Sequence, residues 1–259
     1  MLNIQQIEQQ YPENLRPFKR FLLREYLQYK ILEIIFASEY AAKLSFLGGT
    51  ALRVIYGNNR FSEDIDFDNF GLTDGEFGSV AQKVRVGLEA EGLKAEINIV
   101  GKEAYRCNVR FPDILFGSGL SRHQDEKILI QIDSMAHGFT YQPERKILNK
   151  FDVFTTIFAT PRDLLLSQKI NAAAARKRAK GRDFFDIVFL LSFTKPNYPY
   201  LRQKMGISEP EGLRTRLLDL SSKLDFTELA RDVGTFLFNP GDSKKVELFP
   251  DFIKQAKLE

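Results

Sequence analysis

Phe46-Leu47-Gly48-Gly49-Thr50-Ala51-Leu52, followed shortly by Phe61-Ser62-Glu63-Asp64-Ile65-Asp66-Phe67, decides how the rest of this chain is read. Residues 44–47 read as a short buried strand, the glycine pair falls at its end, and residues 50–56 read as a helix directly after it. Glycines let a backbone approach phosphate oxygens, and the N–H groups that open a helix offer donors and a partial positive charge. Residues 63–68 alternate as a strand. Positions two apart on a strand share a face, so Asp64 and Asp66 project together while Ile65 and Phe67 pack behind them. Two rigidly held carboxylates suit magnesium better than zinc. The combination implies a place for a nucleoside triphosphate and Mg2+.

Upstream, residues 14–40 show apolar residues at helical spacing, among them Phe18, Phe21, Leu22, Tyr26, Tyr29, Ile35 and Phe36. Downstream, residues 76–91 read as an amphipathic helix ending at Gly92, and strands are expected at 94–100 and 105–111. A loop is expected over 112–125. Residues 127–133 form the clearest strand, with Ile128, Ile130 and Ile132 on one face and Leu129, Gln131 and Asp133 on the other. From Pro161 the character turns helical, with Gly181 interrupting one helix before a second, and Pro210 and Asn239-Pro240-Gly241 separating later ones. The reading is an α/β (α+β) chain with two parts. Residues 1–158 form a mixed-sheet core behind an N-terminal helix, and residues 159–259 form a helical C-terminal domain that completes the site.

The 259 residues are 44% hydrophobic and 27% charged, ordinary values for a soluble globular protein. Without a signal-peptide layout or a membrane-length apolar run, a cytoplasmic protein is expected. One cysteine, Cys107, excludes an internal disulfide, and with only His123 and His137 beside it the chain is a poor zinc ligand set. The net charge of +3 is small, but between Arg162 and Arg182 seven basic residues face one acid, Asp163. That stretch reads either as a solvated helix face or as a phosphate-binding surface.

Asp64, Asp66 and Asp133 converge if their strands are neighbours, and such a trio can hold divalent ions while one acid takes a proton. Taken alone, each acid could also be read as a surface carboxylate or a turn aspartate, and the pair Asp64 and Asp66 after the glycines favours the metal reading. Lys169 lies at the edge of its helix's apolar face and needs an anionic partner or must snorkel outward.

The Gly48–Leu52 segment, residues 60–67 and Lys180-Gly181-Arg182-Asp183-Phe184-Phe185-Asp186 together resemble the AbiEii/AbiGii-type nucleotidyltransferase toxin family of type IV toxin–antitoxin and abortive-infection systems. That family lies within the polymerase-β-like superfamily. The resemblance covers roughly residues 40–195, and Thr50 stands where the family pattern usually has serine. It implies that Gly48, Gly49 and Thr50 contact the triphosphate and that Asp64, Asp66 and Asp133 bind metal. It also places Lys169 on the triphosphate, counts Arg182 among the nucleotide-binding residues, and puts Asp186 in the site, where it orients Lys169 or Arg182. Asp183 is the competing acid, read here as a helix cap. Ser62 either meets a phosphate or steadies the turn into the strand, and Arg53 and Arg60 are weaker candidates.

The resemblance implies an enzyme that moves a nucleotide from an NTP to an acceptor, with Mg2+, restrained by an antitoxin encoded nearby. Some relatives extend the acceptor end of tRNA, which suits the basic run 176–182. A protein or small-molecule acceptor, a catalytically silent nucleotide- or RNA-binding module, and a metal-dependent nuclease are the competing readings. The glycine–helix element speaks against the nuclease, which has no free triphosphate to hold.

Overall fold

The described residues, 1–100 and 105–259 of this computed structural model, fall into two units. The first comprises Met1–Tyr56 with Phe61–Thr160, and the second Gly57–Arg60 with Pro161–Glu259.

The first unit opens with α1 (Ile4–Gln9), whose Asn3 cap and Gln6 exchange reciprocal hydrogen bonds. A 3-10 turn, Glu13–Phe18, then leads into α2 (Lys19–Phe36). The single helix expected over 14–40 is thus shortened at both ends. Pro17 has no N–H to give an α-helical ladder, so regular helix begins only after it. There follow β1 (Leu44–Leu47), α3 (Gly48–Tyr56), β2 (Ile65–Asn69), α4 (Asp74–Ala90), β3 (Glu96–Val100), β4 (Tyr105–Phe111) and the short α5 (Ile114–Gly117). The unit closes with β5 (Ile128–Met135), β6 (Glu144–Lys150) and β7 (Val153–Ala159). Thr73 and Glu76 form a capping box, which starts α4 two residues before the expected position.

The strands make one mixed sheet in the order β3-β4-β5-β2-β1-β7-β6. β2 runs parallel to β5 and β1 parallel to β7, while the remaining pairs are antiparallel. Phe67 of β2 meets Phe36 of α2, and Phe77 of α4 stacks on Tyr105 of β4, so these helices seal apolar strand residues from water. The β6–β7 hairpin was not foreseen. Its strands leave Ile147 and Phe154 exposed, so the apolar alternation that marks a half-buried strand is blurred there.

The second unit is helical: α6 (Arg162–Ala175), α7 (Gly181–Leu191), α8 (Tyr198–Met205), α9 (Pro210–Ser221), α10 (Phe226–Gly234), α11 (Lys244–Glu247) and α12 (Phe249–Gln255). Phe184, Phe226 and Phe249 form its aromatic centre, with ring centroids 4.9 to 5.5 Å apart. Among the described residues, no helix is long and apolar enough to cross a membrane.

Candidate functional site

Strand register sets four side chains in a row across the first unit. Leu47 of β1 is the partner of Asp66 on β2, Asp66 of Asp133 on β5, and Asp133 of Arg106 on β4. On the opposite face Ile65, Phe67 and Ile132 are buried, so Asp66 and Asp133 are left at the half-exposed surface of the sheet. Asp64 stands one residue ahead of β2, not within it.

The glycine at the start of α3 has a steric reason. Gly48 has φ of +80°, and a Cβ there would lie 2.1 Å from Asp66 Oδ2. Only a residue without a side chain lets that carboxylate lie against the first turn of the helix, where the N–H groups favour negative charge. The segment carrying the acids is also held from behind. Gln28, buried in α2, donates through Nε2 to the carbonyls of Ser62 and Glu63 at 3.1 and 2.9 Å. The Thr50 hydroxyl donates to the carbonyl of Asp64. Three consecutive carbonyls are thereby fixed. Thr50 is fully buried, so its hydroxyl steadies Asp64 inside the unit. Arg53, further along α3, pairs with buried Glu25 at 2.8 Å.

Arg106, like Gln28, is a residue that the sequence reading missed. Its Nε lies 2.8 Å from Asp133 Oδ1 and its Nη2 3.2 Å from Oδ2, and Gln131 Nε2 donates to Asp133 Oδ2 at 2.8 Å. The hydrogen bond to Asp133, then that acid's charge and the fields of Asp64 and Asp66, raise the pKa of the guanidinium further above its ordinary value. Among the described residues, no three His, Cys, Asp or Glu side chains are gathered as a metal-binding group. The donor type nonetheless suits a hard divalent cation that also takes oxygens from a bound triphosphate: Asp66 and Asp133 are register partners, and Asp64 stands just ahead of β2. Alternation alone carried the signal for Arg106, since positions 106, 108 and 110 share a face of β4.

The second unit holds the other predicted residues. Asp186 of α7 is completely buried, and four bonds saturate it: Arg60 Nε and Nη2 at 2.7 and 2.6 Å, Asn58 Nδ2 at 2.8 Å and Lys169 Nζ at 2.8 Å. Burial alone would push its carboxyl up, but the charges of Arg60 and Lys169 outweigh that and hold it at about 2. Lys169 therefore has the anionic partner its position demanded. Of the two bases that Asp186 was expected to orient, Lys169 pairs with it, while the Arg182 guanidinium lies over the ring of Phe236, 4.5 Å from the centroid. One expectation changes. Asp183 is not a cap, since Lys180 occupies the cap position and Asp183 pairs with Arg176 at 2.8 Å and with Lys169 at 3.5 Å. Gly181 is packed so closely that a Cβ would fall 1.9 Å from the carbonyl oxygen of Leu229.

Cys107 is buried, and burial pushes its thiol up to about 12, which leaves it inert.

A mixed sheet with carboxylates on adjacent strands, beside a helix opened by glycine, is the layout of a nucleotidyltransferase-like α/β fold, and solved structures agree. JHP933 from Helicobacter pylori aligns with a TM-score of 0.57 at 19% identity, covering 90% of this chain and 91% of that one. A second H. pylori structure, described as a candidate nucleotidyltransferase, aligns with a TM-score of 0.58 at 20% identity, covering 90% and 94%. No curated protein matches. Residues 30–240 match the family described as nucleotidyl transferase AbiEii toxin, type IV TA system, and the chain belongs to that family.

Proposed function

We propose that the protein transfers a nucleotide from an NTP to an acceptor hydroxyl, with Mg2+, and that this activity makes it the toxin of a toxin–antitoxin pair. One observation carries the reading: Asp66 and Asp133 are register partners on parallel neighbours, directly beside the glycine that opens α3. Asp64, Asp66 and Asp133 would hold the cation. Bound there, it would neutralise charge on the triphosphate and on the oxygens that enter and leave. The chain's own residues do the positioning. Gly48 makes room for the Asp66 carboxylate against the first turn of α3, and Gln28 and Thr50 fix the acid-bearing segment that begins at Ser62. Family pattern adds Lys169 as a point charge for the triphosphate, with Asp186 holding it by a 2.8 Å ion pair.

The acceptor proposed is the 3′ end of tRNA, supported by the basic residues in 176–182. A cognate antitoxin is proposed on the same family ground.

The test is incubation with each labelled NTP, Mg2+ and total RNA. Label on tRNA is the expected outcome. Label on protein or a small molecule would replace the acceptor, shortened RNA would indicate a nuclease, and no product would indicate a binding module. Asp64→Ala should abolish transfer and relieve growth arrest in cells while leaving the melting temperature within a few degrees. Undiminished transfer would remove Asp64 from the metal site.

A further inference from the structure

We propose that Arg106 is a built-in counter-ion of the acid cluster, which an incoming divalent cation must displace from Asp133, so that this arginine sets the cation affinity of the site. The inference rests on the metal-dependent reading given above. It is carried by geometry. Arg106 and Asp133 are direct register partners on β4 and β5, and the guanidinium closes on both carboxylate oxygens, at 2.8 and 3.2 Å. The oxygens that a cation would need are therefore already engaged, on one side by Arg106 and at Oδ2 also by Gln131.

Asp66 and Asp133 are register partners on neighbouring strands, carboxylates at that spacing repel one another, and a fixed positive group beside them relieves the repulsion. A guanidinium suits this role, because it stays charged at any working pH and its planar fork matches a carboxylate edge. It also competes. A cation that takes Asp133 must break two charge-assisted hydrogen bonds and tolerate a neighbouring positive charge. The arginine's side chain is 49% exposed, so it can swing out into water when displaced, and its removal leaves no buried hole.

The experiment is a Mn2+ titration of the nucleotide-free protein by calorimetry, checked by the loss of the free Mn2+ signal in electron paramagnetic resonance. Wild type, Arg106→Gln, Arg106→Lys and Arg110→Gln are compared, each first shown to be folded by circular dichroism. Arg110 lies on the same face of β4, four residues on, and serves as the control for loss of any positive charge. Arg106→Gln should bind Mn2+ about tenfold tighter than wild type, the factor that about 1.4 kcal/mol of relieved competition supplies. Arg106→Lys, which keeps the charge but not the fork, should fall between them, and Arg110→Gln should stay near wild type. Equal affinity for wild type and Arg106→Gln, or equal tightening in Arg110→Gln, would overturn the role of Arg106 and leave the metal site standing. If neither wild type nor Arg106→Gln binds Mn2+, both the inference and the metal-dependent reading fall.

Discussion

Gly48 and Asp186 show how much two single residues settle. At Gly48 the positive φ and the 2.1 Å approach of Asp66 Oδ2 exclude any side chain, so Gly48→Ala must move either the helix start or the acid. The expected outcome is about 10²-fold slower transfer, the scale of a misplacement near 1 Å, with a stability loss of about 1–2 kcal/mol for an alanine held at positive φ. Steady-state kinetics and thermal melts separate the two effects, and unchanged kinetics would contradict the steric argument. Asp186 makes the pH case. Its carboxyl sits at about 2 in the folded protein, below its ordinary 3.8, so the charged form favours the fold at every pH above 3.8. That contribution drains away as the pH falls from 3.8 towards 2. Acid titration of stability should therefore lose part of its steepness in this window in Asp186→Asn. The substitution should also cost about 3–5 kcal/mol near neutrality, because Arg60 and Lys169 are left without their shared anion. An unaltered acid limb would mean that Asp186 does not titrate there.

At the scale of elements, α2, α3 and β2 work as one device for aiming carboxylates. Gln28 reaches from α2 to two carbonyls and Thr50 from α3 to a third, so the segment before β2 is fixed by side chains whose own positions are buried. Gln28→Ala releases both of its bonds. Stability should fall by about 1–3 kcal/mol, and kcat should fall more than the NTP KM rises, because acid positioning serves the transition state. A KM-only effect would argue that Gln28 supports binding and not alignment. Much of this device was legible in the sequence. The glycine pair at a strand end, the i, i+2 acids and the alternating isoleucines of β5 each report on the backbone through a period of two or a forced turn. Gln28 was not legible, and for Arg106 alternation gave its face of β4 but not its role. Neither breaks its local pattern, and their roles come from register and from contacts made by distant segments, which a single sequence does not encode locally. The β6–β7 hairpin escaped for the related reason that its exposed Ile147 and Phe154 hide the alternation.

Over the whole molecule, chain order and unit membership part company at one place. Residues 57–60 follow α3 directly, yet they belong to the helical unit. Arg60 bridges to Leu237, the N–H of Phe238 donates to the carbonyl of Asn59 at 3.2 Å, and Asn58 and Arg60 both bind Asp186. The stability of this connector should then be that of the second unit and not of the helix it extends. Gly181→Ala tests this, since a methyl group 1.9 Å from the Leu229 carbonyl forces α7 away from α10 without touching residues 57–60. Hydrogen exchange in that variant should speed up in α7, in α10 and at the amides of residues 59–60 together, while the amides of β4 and β5 keep their protection. If residues 59–60 keep wild-type exchange while α7 and α10 lose theirs, the connector is held by its own segment and the Asp186 cluster is not what anchors it. Correlated loss would show that Arg60, only a weaker site candidate in the sequence, ties two distant stretches of chain into one cooperative unit.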